Sequence, residues 1–310
     1  QGLFGSGNLD SGPDSPGRVQ VEEPLLSSMS LFCTLLPCLL GAARGLVLAP
    51  ADAVPLFSHI PKNGGTWLSS QLEARKLGWF DAGDRCFSKI PCSGWHVPVG
   101  LAVDAGCAGA SYRPGQQMFA VLRHPYQRAV SQWTWGHRFW SKVLGYEETA
   151  DGMNRFIQDS VSNSTVPDDG AGKCSTSHSS FGKAECGRKC GRFLQDCHWL
   201  PQSDYVFDSG RNQQLVTTLL NQSTLSQEFR TMLGEHGQVE RGAADYELAS
   251  HMEDGATASV FNAWLCVLTT RSKQMLDMHY AEDFAKFGHL FDRANYLSTP
   301  CQPGSLPALP

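Results

Sequence analysis

The order Pro61-Lys62-Asn63-Gly64-Gly65-Thr66, directly after an apolar run over 54–60, is equipped to grip an anion. Glycines let the backbone approach a ligand, and the first amides of a helix starting at Thr66 have no intrahelical partner and sit at its positive end. Lys62 adds a point charge and Thr66 a hydroxyl. The lysine precedes the glycines, so this is not the G-x-x-x-x-G-K-[ST] order of a Walker A loop, and a nucleotide kinase is disfavoured. A second grip follows the apolar run 117–122. Arg123 ends that run, Pro125 suits the first turn of a helix, and Arg128 and Ser131 then share a face. Arg123, as a rigid fork, and Ser131 can reach one phosphate.

Two histidines offer proton transfer. His96 lies between the grips in Gly94-Trp95-His96-Val97, and His198 follows them in Cys197-His198-Trp199-Leu200-Pro201-Gln202. Imidazole, with an ordinary pKa of about 6.5, suits removal of a hydroxyl proton. Both stand as candidate bases, with a structural loop histidine as the plainer alternative for His96. His59 is expected to pack beside the anion loop.

The strand followed by Pro-Lys-x-Gly-Gly-Thr resembles the 5′-phosphosulfate loop of Golgi carbohydrate sulfotransferases, which use 3′-phosphoadenosine 5′-phosphosulfate. R-x-P-x-x-R-x-x-S-x-W, from Arg123 to Trp133, resembles their 3′-phosphate motif, and 278–289 resembles their closing Y-x-x-D-F-x-x-F-G-Y helix, its aromatics read as core. His96 occupies the place where heparan sulfate 2-O- and 6-O-sulfotransferases carry a catalytic histidine. The segment around His198 resembles an H-x-x-P-Q-x-x-Y region of related enzymes. The resemblance runs over roughly 54 to 290 but is dense only in these islands.

It implies an α/β fold, a P-loop-like parallel sheet flanked by helices with a Cys-rich insertion. It implies nucleotide contacts from Lys62, Asn63, Gly64, Gly65, Thr66, Trp67, Arg123, Arg128 and Ser131. The catalytic set is Lys62 with His96 and His198, the acceptor a carbohydrate. No metal is required, because Lys62 and the helix N-terminus supply positive charge. Sulfation of protein tyrosines is the nearest rival activity. A secreted, disulfide-stapled glycan-binding module without turnover is the rival from another class.

The elements that must position these groups alternate. Strands are expected over 54–60, 117–122 and 204–207, and helices over 66–77, 125–139, near 148–160, 224–236, 257–271 and 273–287. Such alternation predicts a parallel sheet with ligands at its carboxyl ends. The Cys-rich stretch 174–197 is too long for a plain connection and is expected to border the acceptor cleft.

Of the 310 residues, 50–300 form the expected catalytic domain, and a 41% hydrophobic fraction can fill one core. A net charge of −5 gives no broad basic field for nucleic acid. Residues 1–24, rich in Gly, Ser, Pro and acidic side chains, read as disordered or extraneous. Residues 25–49 hold an apolar run broken by Pro37 and Arg44, a signal peptide if translation starts at Met29, a short membrane anchor, or a buried core helix. The first two, with the resemblance, imply the Golgi lumen. The 11 cysteines, nine of them beyond that run, suggest disulfides, with an odd one left over and connectivity open. A zinc cluster of Cys174, Cys186, Cys190, Cys197 and His198 is a competing reading, weakened by irregular spacing. The sequons at Asn163 and Asn221 fit luminal glycosylation.

Overall fold

A computed structural model describes residues 55–83, 86–87, 89–108, 112–167, 176–179, 185–188, 191–237 and 255–291. The segments 1–24 and 25–49 lie outside these residues, as do 174–175, 180–184 and 189–190 of the Cys-rich stretch. No helix among the described residues is long and apolar enough to cross a membrane.

Three parallel strands form the sheet, β1 (Leu56–Phe57), β2 (Met118–Leu122) and β5 (Thr218–Asn221), in the order β1-β2-β5. Leu56 faces Met118, and Phe119 faces Thr218. All five residues of β2 are buried, as expected of a central parallel strand covered on both faces. Its side chains alternate between two cores. Phe119 and Val121 pack with Leu68 and Leu72 of α1 (Gly65–Arg75) and Phe229 of α7 (Leu225–Glu235). Met118, Ala120 and Leu122 face the opposite core with Val99 of α2 (Val99–Asp104), Tyr205 of α6 (Ser203–Val206) and Phe287 of α10 (Ala281–Phe287). A third core joins Trp133 of α3 (Pro125–Leu144), Phe156 of α4 (Ala150–Ser164), Trp264 of α8 (Gly255–Cys266) and Leu276 of α9 (Thr270–His279). Two short antiparallel strands, β3 (Thr176–Ser179) and β4 (Glu185–Arg188), are the described part of the Cys-rich stretch before residue 191.

The order strand, helix, strand, helix therefore holds, with corrections. Residues 203–206 are helical where a strand was expected. The Asp283 carboxylate accepts from the backbone N–H of Gln202 and Ser203, both at 2.8 Å, which starts a helical turn there. A short apolar run does not itself distinguish strand from buried helix. The third strand lies at 218–221 and α2 at 99–104, neither expected. The long C-terminal helices are three, divided at Thr269, whose hydroxyl caps α9, and at Tyr280. Of the two sequons, Asn163 is exposed, whereas the Asn221 amide donates to Leu290 O at 2.6 Å.

Candidate functional site

The loop after β1 turns sharply, with Lys62 at φ 69° and Gly64 at φ 92°. A left-handed lysine is unfavourable on its own, so its surroundings must hold it. Arg123 Nη1 donates to Lys62 O at 2.9 Å, and Arg128 Nε to Pro61 O at 3.0 Å. Asn63 Nδ2 donates to Val121 O and to Gln202 Oε1, both at 2.7 Å. Gly64 caps α1 and, having no side chain, offers no acceptor to the opening amides of that helix. A side chain at Gly65 would collide with the His59 imidazole, so anything larger than glycine requires that ring to move.

The loop lies against cationic and aromatic groups. Lys62 Nζ sits 4.4 Å from the centre of the Trp135 ring. Burial, then the neighbouring Arg123, pushes the Lys62 amine well below its usual range. Burial, and then the charges of His96 and Lys62, also hold His59 low.

Opposite the loop, His96 and Asp196 form a dyad. His96 Nδ1 lies 2.7 Å from Asp196 Oδ2, and Ser93 donates to the same carboxylate through its backbone N–H and its hydroxyl. A carboxylate at Nδ1 fixes the tautomer with the proton there and leaves Nε2 as a base. Asp196 stands in a stretch of three left-handed residues, Gln195, Asp196 and Cys197, with φ of 49°, 59° and 64°. Such a run is costly, and the Cys92–Cys197 disulfide pins its end beside Ser93.

The His198 ring packs edge-on to His96, with centroids 4.8 Å apart. Its Nδ1 is 2.7 Å from Gln132 Oε1, while Gln132 Nε2 donates to Gln195 Oε1 at 3.0 Å, so His198 Nδ1 carries the proton. Burial first, then the charges of His96, Lys62, Arg128 and His59, hold His198 well below the usual histidine range. Protonation of His198 is opposed by its burial and by these cations, whereas His96 has the Asp196 carboxylate at its Nδ1.

Lys62, Arg123, His96 and His198 are thus brought together, as is His59. Thr66 is exposed at the start of α1, and Ser131 is half-buried on α3. Two residues expected at the nucleotide make other contacts in this structure. Arg128, 1% exposed, donates to three backbone carbonyls, Pro61 O, Leu200 O and His198 O, and so ties the loop to the His198 segment. Trp67 packs edge-on against Phe229 in the core behind the sheet. Cys197 is disulfide-bonded and is no zinc thiolate. Gln202 Oε1 accepts from both Asn63 Nδ2 and Arg123 N and joins the two grips. Asp196 was not foreseen, and nothing in its local sequence signals a left-handed turn.

His96, Asp196 and His198 place one ligand atom each within 4.8 Å of one another, a spacing compatible with a divalent ion. The 2.7 Å approach of His96 Nδ1 to Asp196 is instead that of a hydrogen-bonded pair, and the surrounding Lys62, Arg123 and Arg128 favour an anion. Compared with protein-family models, curated proteins and solved structures, the chain has no match.

Proposed function

We infer that the chain is a sulfotransferase that moves the sulfonate of 3′-phosphoadenosine 5′-phosphosulfate to a hydroxyl of a carbohydrate, on a sulfotransferase-type P-loop-like fold in the secretory lumen. The observation that carries this reading is the convergence of an anion loop with a His–Asp dyad. Lys62 and the uncapped start of α1 fall at the carboxyl end of β1, Arg123 at that of β2, with His96 and its Asp196 beside them. The site fits a polyanion, because Lys62 and Arg123 burden each other and an anionic ligand relieves both.

The nucleotide supplies an activated sulfonate. Arg123 and the amides at Gly64 to Thr66 bind its phosphates, and Lys62 neutralises the charge that grows on the departing phosphate oxygen. His96 Nε2 takes the proton of the acceptor hydroxyl, and Asp196 stabilises the imidazolium. His198, kept neutral, accepts a hydrogen bond at Nε2 and positions the acceptor.

Titration calorimetry with 3′-phosphoadenosine 5′-phosphate, followed by transfer of labelled sulfonate over a glycan panel, tests the reading. Binding of the nucleotide and labelling of a glycan are expected. A folded, disulfide-bonded chain that binds no such nucleotide would overturn it.

A further inference from the structure

The tautomer of His198 is set at a distance, by a side chain that can only donate. The indole Nε1–H of Trp199 donates to Gln195 Oε1 at 2.9 Å, which fixes the way the Gln195 amide faces. Gln132 Nε2 donates to that same oxygen at 3.0 Å, so Gln132 turns its own oxygen to His198 Nδ1, 2.7 Å away. The proton of the neutral ring therefore sits on Nδ1 and the lone pair on Nε2. Gln132 and Trp199 are buried, which shields this chain from water.

His96 reaches the same state by another route, because Asp196 Oδ2 lies 2.7 Å from its Nδ1 and leaves Nε2 bare. The two rings are centred 4.8 Å apart with planes at 76°. His96 is 9% exposed and His198 8%, and neither Nε2 has a hydrogen bond among the described residues. Two nearly buried acceptors without donors carry a desolvation cost that a ligand with two donors removes. The charges of Lys62 and Arg128 bear on His198, which disfavours an ammonium and favours neutral hydroxyls. Hydroxyls on adjacent carbons of a sugar ring lie close enough to serve both rings, whereas a phenol or a primary hydroxymethyl group brings one donor.

We propose that the acceptor is a vicinal diol on a sugar ring: one secondary hydroxyl meets His96 Nε2 and receives the sulfonate, and its neighbour donates to His198 Nε2. The first oxygen forms the new bond to sulfur and gives its proton to His96. The old sulfur–oxygen bond breaks, and its electron pair leaves on the phosphate of the nucleotide. The second hydroxyl is unchanged and sets which ring position reacts. The assignment rests on the sulfotransferase reading and narrows it to secondary ring hydroxyls with a hydroxyl neighbour, against primary hydroxymethyl groups and protein tyrosines.

The test is transfer of labelled sulfonate by the full, disulfide-bonded chain to four acceptors: N-acetyllactosamine, maltotetraose, an unsulfated heparosan octasaccharide and an acidic tyrosine peptide. The sulfated position is read by NMR and is expected to be a secondary ring hydroxyl beside another hydroxyl. The accepted sugar is then remade without each neighbouring hydroxyl in turn. For one of these deoxy sugars kcat/KM is expected to fall at least about tenfold with wild type, and to change less than about twofold with His198→Ala, which has lost the acceptor. Should His198→Ala fail to fold, the sulfated position and the wild-type penalty decide. Sulfate on a primary hydroxyl or on tyrosine, deoxy sugars as good as their parent, or an equal penalty in both enzymes overturns the diol and leaves the sulfotransferase standing. Transfer to none of the four overturns both.

Discussion

The Asp196 carboxylate holds His96 Nδ1 at 2.7 Å across a hundred residues of sequence. It thereby separates two histidines that the sequence offers as equals. In the proposed reaction, Asp196→Asn keeps the shape of the pair but loses the charge that stabilises the imidazolium and the acceptor that fixes its tautomer. Turnover is expected to fall by about 10²–10⁴-fold, with nucleotide affinity within about twofold of wild type. Initial rates at saturating nucleotide, beside calorimetry, check this. A fully active Asp196→Asn removes the dyad from the chemistry.

His96→Ala is expected to match that loss, and the double variant to be little worse, since the two act as a unit. His198→Ala should instead act chiefly on acceptor KM. If His198→Ala abolishes turnover with nucleotide affinity intact while His96→Ala is active, the roles exchange.

Lys62 and Arg123 are adjacent but should fail differently. Lys62→Ala is expected to lower turnover by about 10²–10³-fold and to weaken the desulfonated nucleotide only modestly, because its charge matters most as the bridging bond breaks. Arg123→Ala should raise the nucleotide Kd at least about tenfold, as it removes a phosphate fork and also releases Lys62 O, which it holds at 2.9 Å. Equal nucleotide affinity in wild type and Arg123→Ala would place that residue outside the site.

Gln202 is buried and accepts from Asn63 Nδ2 at 2.7 Å and from Arg123 N at 2.9 Å. Gln202→Ala leaves two buried donors without that acceptor, each costing about 1–3 kcal/mol. A loss of about 2–4 kcal/mol, read as a drop of roughly 4–16 °C in Tm, is expected together with weaker nucleotide binding. A Tm within about 1 °C of wild type contradicts the coupling.

Acid should destabilise the fold before carboxylates titrate. His59 and His198 are held well below the ordinary histidine value, burial being the largest cause in each, and His279 is lowered by burial too. Below about pH 6.5 the unfolded chain takes up protons that the folded chain refuses, so unfolding free energy falls as pH falls, until the lowered values are reached. Each fully buried imidazole contributes at most about 1.4 kcal/mol per pH unit in that window. The urea midpoint should be lower at pH 5.5 than at pH 7.5, with a smaller difference in His198→Asn. A midpoint independent of pH would contradict this.

The parts legible in the sequence are those with local causes. The central strand 118–122 is an uninterrupted apolar run, and Pro125 opens α3 where expected. The turn after β1 was legible because proline, lysine and paired glycines imply a turn before a helix. Ser203–Val206 was misread because its helical start depends on Asp283, 80 residues away. The resemblance implied a nucleotide contact for Arg128, and the carbonyls it meets here, Pro61 O, Leu200 O and His198 O, include two brought near only by the chain return at 198–200. Asp196 could not be paired with His96 from sequence, since the left-handed run and the Cys92–Cys197 bond that carry it are tertiary facts.

That disulfide flanks the dyad on both strands of the chain, Cys92 next to Ser93 and Cys197 next to Asp196. The sheet and the loop after β1 are held by separate, noncovalent contacts. The choice of host for recombinant production is therefore a chemical variable. If the proposed reaction holds, chain made in a reducing cytosol would keep the loop after β1 and lack a seated Asp196, so a preparation that binds nucleotide but shows no turnover reports on its oxidative maturation before it reports on its substrate.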